Sequence, residues 1–149
     1  MINKFSLDGK IALVTGATGY LGRSIAIGLA ELGALVLVHG RTIDRVNMLV
    51  SEIRSQGLLA EPVVFDITQQ TEIIGFFADF KYDCLDVLVN NAYAGVGGTV
   101  ETATTAEYEE SYASSVIASH HLLQNSLGLL RSAILKRGDA SVINIASMY

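Results

Sequence analysis

The sequence is short of charge, cysteine and proline, and each shortage excludes a class of protein. Charged residues make up 17% of its 149 residues, against roughly 25% in an ordinary soluble domain, which points to segments covered on both sides. Cysteine occurs once, at Cys84, so no internal disulfide can staple the fold; a reducing compartment is expected, with the cytoplasm as default. Ten basic side chains against fifteen acidic ones give a net charge of -5, the wrong sign for a phosphate backbone, so nucleic acid is not expected as a partner. No apolar run approaches the ~20 residues that span a bilayer, despite a mean hydropathy of +0.42. The opening residues 1–10 carry no apolar core of signal-peptide length, and export is not expected. The three histidines and Cys84 lack ligand spacing, so no metal is implied. The single proline, Pro62, sits at the entrance to a predicted strand. Nothing reads as a linker or a repeat, and the length fits one domain.

Valine- and isoleucine-rich runs recur at Ile11–Val14, Ala34–Val38, Val63–Phe65, Leu85–Val89 and Val142–Ile145. None alternates cleanly, as expected for strands buried on both faces of a parallel sheet. Helix-period segments separate them. Leu21, Ile25, Leu29 and Leu32 share one face of the first, and Ile43, Val46, Leu49, Val50 and Ile53 one face of the second. Gly33 and Gly57 are the predicted stops. A third helix is expected from about Thr68 with Ile73, Ile74, Phe77 and Phe80 inward, and a long fourth from about Thr105 to Lys136, opened by a Thr104–Glu107 capping box. Strict alternation predicts a doubly wound α/β sheet, a Rossmann fold truncated after strand five, with strand order 3-2-1-4-5.

Directly after the first strand comes Thr15-Gly16-Ala17-Thr18-Gly19-Tyr20-Leu21-Gly22, which runs into the first helix. A strand-to-helix turn without Cβ atoms lets the backbone approach a pyrophosphate, whose charge meets unpaired amides at a helix amino terminus. The alternative is a tight turn that merely needs glycine's torsion angles. Gly16, Arg41, Asp66, Asn91 and Ser147 each follow the carboxyl end of a predicted strand, the edge at which open parallel sheets bind ligands. Asp66 has the alternative of capping the third helix, and Asn90 and Asn91 of forming turns.

The pattern Thr-Gly-x-x-Gly-x-x-Gly resembles the short-chain dehydrogenase/reductase family. Asn90-Asn91-Ala92 is similar to that family's Asn-Asn-Ala-Gly, and Val142 to Ser147 to its strand-five segment ending in the active-site serine. Asp66 matches the aspartate that contacts adenine. The resemblance implies a dinucleotide-binding domain over residues 1–149, the amino-terminal part of a single-domain reductase of ~250 residues. It implies cofactor-binding roles for Gly16, Thr18, Gly19, Tyr20, Leu21, Gly22, Arg41, Asp66, Ile67, Asn91, Ala92, Tyr93 and Ile145, and a catalytic role for Ser147, which would hydrogen-bond the substrate oxygen. The activity implied is hydride transfer between a nicotinamide and a small carbonyl or alcohol substrate. A homo-oligomer, dimer or tetramer, is expected of the full-length form.

The acidic residue that accepts from an unphosphorylated ribose about 20 residues past the glycines falls here at Gly40. Arg41 comes next, with a planar fork suited to a 2′-phosphate, so NADP is preferred over NAD. The alternatives are a solvated Arg41 or one paired with Asp44, and His39 reads as a buried strand histidine. Three departures from the family pattern stand out. Tyr93 replaces the glycine after Asn-Asn-Ala, Tyr112 falls where the family has a helix asparagine, and Tyr20 occupies a position the compact branch gives to glycine. The family's Tyr-x-x-x-Lys normally comes about a dozen residues after its serine, and Tyr149 is too close to Ser147 to serve. These 149 residues alone are therefore expected to be inactive. A non-catalytic nucleotide-binding module is the competing reading. A flavodoxin-like or receiver-like domain would not explain the glycine turn together with Asn90-Asn91-Ala92.

Overall fold

The computed structural model describes residues 5–95 and 98–146. Along the chain run β1 (Ile11–Val14), α1 (Tyr20–Glu31), β2 (Leu35–Gly40), α2 (Ile43–Ser55), β3 (Ala60–Val64) and α3 (Gln70–Ala78). After them come β4 (Val87–Asn90), α4 (Thr105–Tyr112), a π-helical turn (Ala113–Ile117), α5 (Ala118–Arg137) and β5 (Ser141–Asn144). The described strands pair in parallel in the order β3-β2-β1-β4-β5, the doubly wound arrangement the alternation predicts. Val14 stands opposite both Val38 and Val89, so the loops leaving β1, β2 and β4 emerge together at one edge.

Alternate residues of each inner strand enter different cores. Ala12, Val14, Val36, Val38, Val87 and Val89 join Ala26, Ala30, Val46 and Ile53 on one face. Ile11, Leu13, Leu37 and Leu88 join Ile73, Leu122 and Leu130 on the other. Apolar residues are therefore needed at every strand position, which erases the period-two signal.

Several element-level expectations need correction. The face of α1 that is fully buried is Gly22, Ala26 and Ala30, with Ile25 and Leu29 at its flank and Leu21 and Leu32 exposed. Small residues at four-residue spacing bring the helix backbone close to the sheet, and the branched residues cover its margins. Ile43 and Ile74 are likewise exposed, while Phe76 joins Phe77 and Phe80 around the second core. Pro62 lies inside β3 rather than before it. It is tolerated because β3 is an edge strand, where a missing N–H costs no ladder bond. The long fourth helix is one run interrupted by the π-helical turn at Ala113–Ile117.

The amino end of that run is fixed as expected. Thr104 and Glu107 form a reciprocal capping box, and the last turn is anchored by two ion pairs. Lys136 reaches Asp83 at 3.0 Å, and Arg137 Nη1 donates to Asp86 Oδ2 at 2.5 Å, an oxygen that also accepts the Ile11 N–H at 2.8 Å. On the other side of β4, every residue of β5 is exposed, Val142 and Ile143 included. Among the described residues no helix is long and apolar enough to cross a membrane.

Candidate functional site

The turn after β1 is held from two sides, by the end of β4 and by β2. Thr15 Oγ1 donates to the Val89 carbonyl (3.0 Å) and accepts the N–H groups of Asn91 (3.0 Å) and Ala92 (3.1 Å). Asn91 Nδ2 in turn donates to the carbonyls of Thr15 (3.0 Å) and Gly16 (3.2 Å). From β2, the Gly16 N–H donates to His39 Nδ1 at 3.2 Å and the Ala17 N–H to the His39 carbonyl at 2.9 Å. His39 Nε2 lies 3.0 Å from the Phe65 carbonyl, which assigns the ring proton to Nε2 and leaves Nδ1 as acceptor. Burial pushes the His39 pKa down to about 4, against the Phe65 carbonyl and the nearby Asp66 charge, which both raise it. The ring is thus a neutral strut between the turn and the end of β3.

Two of the glycines are required by space. Gly16 has φ +63°, and a Cβ there would come within 2.7 Å of the Ala92 Cα. At Gly22 a Cβ would run into the Gly16 carbonyl and stand 2.7 Å from Asn91 Nδ2. The amino end of α1 is therefore pressed against the turn and against β4. That helix starts at Gly19 with no side-chain cap and no acidic residue in its first turn, in contrast to the boxed start of α4. Its first amides face the open edge of the sheet without an internal partner for their partial positive charge.

A cavity of about 310 Å³ lies over this turn. Gly16, Thr18, Gly19, Tyr20, Leu21, Gly22, Arg41, Asp66, Ile67, Asn91, Ala92 and Tyr93 line it together, as do His39, Gly40, Arg45 and Ala94. Twelve of the expected residues thus share one hollow, whereas Ile145, just past β5 with its N–H on the Asn90 carbonyl, is not among the lining residues. Ser147 lies outside the described residues. Asp66 does not cap α3, whose N-cap is Gln69 without a side-chain bond; its Oδ1 accepts the Thr68 N–H (2.9 Å) and hydroxyl (2.8 Å) in the turn before that helix, and the residue lines the cavity. Asn90 turns away to donate to Asn144 Oδ1 at 2.8 Å.

Sequence reasoning missed Arg45. Arg45 lies in the first turn of α2, whereas Arg41 precedes its N-cap, Thr42, so no helical spacing links the two in the sequence. Neither forms an ion pair among the described residues, Asp44 included. The role of Thr15 as the hub between β1 and β4 was also missed, and a lone threonine carries no such signal.

Comparison with known proteins agrees with this geometry. The family model described as short chain dehydrogenase matches residues 10–149. Gluconate 5-dehydrogenase of Gluconobacter oxydans is 32% identical over 146 residues, which cover 97% of this chain and 56% of that protein. The 7alpha-hydroxysteroid dehydrogenase of Escherichia coli K12 is 35% identical over 144 residues, 95% of this chain and 54% of that one. Among solved structures, the RhlG/NADP active-site complex of Pseudomonas aeruginosa superposes with a TM-score of 0.90 at 30% identity, covering 99% of this chain and 58% of that one. An open parallel sheet with a glycine turn at its carboxyl edge defines a dinucleotide-binding class of fold. Within that class, this chain belongs to the short-chain dehydrogenase family. It spans about half the length of these curated relatives.

Proposed function

We propose that this chain is the dinucleotide-binding part of a short-chain oxidoreductase that transfers hydride between a nicotinamide and a carbonyl or alcohol carbon, with NADP(H) preferred. The observation that carries the reading is the uncapped amino end of α1, free of acidic residues and packed through Gly22 onto the Gly16 carbonyl beneath the cavity. A phosphate pair supplies the negative charge that this helix end lacks. The two collisions that Cβ atoms would cause at Gly16 and Gly22 mark a backbone cradle rather than a side-chain pocket, which suits that group.

In this reading the turn from Gly16 to Gly22 binds the pyrophosphate, Asp66 and Ile67 flank the adenine, and Arg41 meets a ribose 2′-phosphate. Asn91, Ala92 and Tyr93 border the second nucleoside, with Ile145 beside it. When bound, the dinucleotide supplies a nicotinamide ring that gives or takes hydride. Ser147 would orient the substrate oxygen, and the proton would be handled by the family's Tyr-x-x-x-Lys element. NADP is supported by Gly40 at the position where an acid would select NAD, by two arginines that form no ion pair among the described residues, and by solved relatives described as NADP complexes. One relative, the 7alpha-hydroxysteroid dehydrogenase, is described as complexed with NADH. Gluconate, a sugar acid, and hydroxysteroids are the substrates in the relatives' names, and a homo-oligomer of the full-length protein fits the exposed apolar side chains of α5 and β5.

Calorimetric titration of NADPH and NADH tests the preference, since the chain has no tryptophan to report binding. NADPH is expected to bind more tightly, and Arg41→Ala to cost about 1 to 3 kcal/mol for NADPH while leaving NADH nearly unchanged. Tighter NADH binding by the unmutated chain would overturn the preference.

A further inference from the structure

The sheet order places the glycine turn after β1 between two unlike ends of the cavity. Arg41 and Asp66 lie past the ends of β2 and β3 on one side, and Tyr93 and Ala94 past the end of β4 on the other. A dinucleotide with its phosphates over the turn and its adenosine beside Asp66 extends its second nucleoside toward Tyr93 and Ala94. The loop that carries these residues is tied by one contact to the end of α4 and by one to the π-helical turn that follows it. The Tyr93 hydroxyl lies 2.9 Å from Ser111 Oγ, and the Ala94 N–H donates to Ser114 Oγ at 3.2 Å. Ser114, buried to 1% exposure, donates its own hydroxyl proton to the Ser111 carbonyl at 3.1 Å. The phenol occupies the space that a Cβ on Gly95 would need, so Tyr93 lies folded back over its own loop.

We propose that Ser111 and Ser114 are positioning residues that latch Tyr93 onto the end of α4 and Ala94 onto the π-helical turn that follows it, and so set the width of the cavity at the end away from Asp66. This rests on the dinucleotide reading above. A π-helical turn adds a residue to the helical repeat and rotates the remainder of the helix about its axis, and Ser114 is the buried polar side chain that this widening presents to the loop. The tyrosine narrows the site, and its bond to Ser111 keeps the ring from swinging into the space that the second nucleoside needs.

The test compares two ligands on the whole chain by calorimetry. NADPH spans the cavity, whereas adenosine 2′,5′-bisphosphate carries only the adenosine end. Tyr93→Phe and Ser111→Ala are each expected to weaken NADPH about two- to tenfold, the span of one hydrogen bond, and to leave the bisphosphate unchanged. The double variant should be no weaker than either single one, because both remove the same bond. Ser114→Ala should weaken NADPH in the same selective way and speed hydrogen exchange at the Ala94 amide. Additive losses in the double variant, equal losses for both ligands, or no loss would overturn the latch while leaving the cofactor reading intact. Failure of the unmutated chain to bind either ligand would instead remove the cofactor reading, and the latch with it.

Discussion

Gly22 is the residue that the turn can least spare, because its missing Cβ is the space into which the Gly16 carbonyl fits. Gly22→Ala must displace backbone, and a loss of about 2 kcal/mol in unfolding free energy is expected. At Gly19 a Cβ would meet only the Gly16 carbonyl at 3.3 Å, so Gly19→Ala should melt within a degree or two of the unmutated chain. Equal losses from the two would contradict the packing described. His39 gives a second residue-scale prediction. Its proton is accepted in the unfolded chain near the ordinary value of 6.5 and in the folded one only near 4. Stability should therefore fall as pH drops from about 6.5 to about 4, by about 3 kcal/mol for this group. Denaturant unfolding at pH 7 and pH 5 measures the slope. His39→Gln should flatten it, and an unchanged slope would show that the ring is not a neutral strut. Gly16, Arg41, Asp66 and Asn91 were legible in the sequence because each comes directly after an apolar run, and strand ends in a parallel sheet converge. The strut between Gly16 and Phe65 was not, since it joins residues that only the sheet brings together.

At the scale of elements, the two basic residues that end α5 look equivalent in sequence and do unequal work. Asp86 is 1% exposed, and Arg137 provides its charged partner, whereas Lys136 pairs with an exposed Asp83. Arg137→Ala leaves a buried carboxylate with the Ile11 amide alone and should cost about 3 kcal/mol. Lys136→Ala should cost well under 1 kcal/mol. Chemical unfolding of both variants separates them, and similar losses would refute the anchoring of α5 on β4. Strand and helix order and the capping box were readable because each depends on neighbours along the chain. The face of α1 was misjudged because hydrophobicity favoured Leu21 and Leu32, while close approach to the sheet selects Gly22, Ala26 and Ala30. The π-helical turn leaves no mark in hydrophobic spacing.

For the whole molecule, strand order was predicted from alternation and handedness alone, and that order decides where a ligand can lie. The turn after β1 sits at the middle of the sheet with Asp66 to one side and Ala94 to the other, so one cavity crosses four strand ends. Roles for Ile145 and Ser147 come only from the resemblance: Ile145 does not line the cavity, and Ser147 lies outside the described residues. The central claim is that a dinucleotide's phosphates rest on the amino end of α1. Backbone amide shifts of the labelled chain, monitored as NADPH is added, test it most directly. The largest changes should fall at Gly16 to Gly22, with smaller ones at Arg41, Asp66 and Asn91 and none at Lys136 or Arg137. Saturable changes that spare the glycine turn and gather along β5 or α5 would contradict the account.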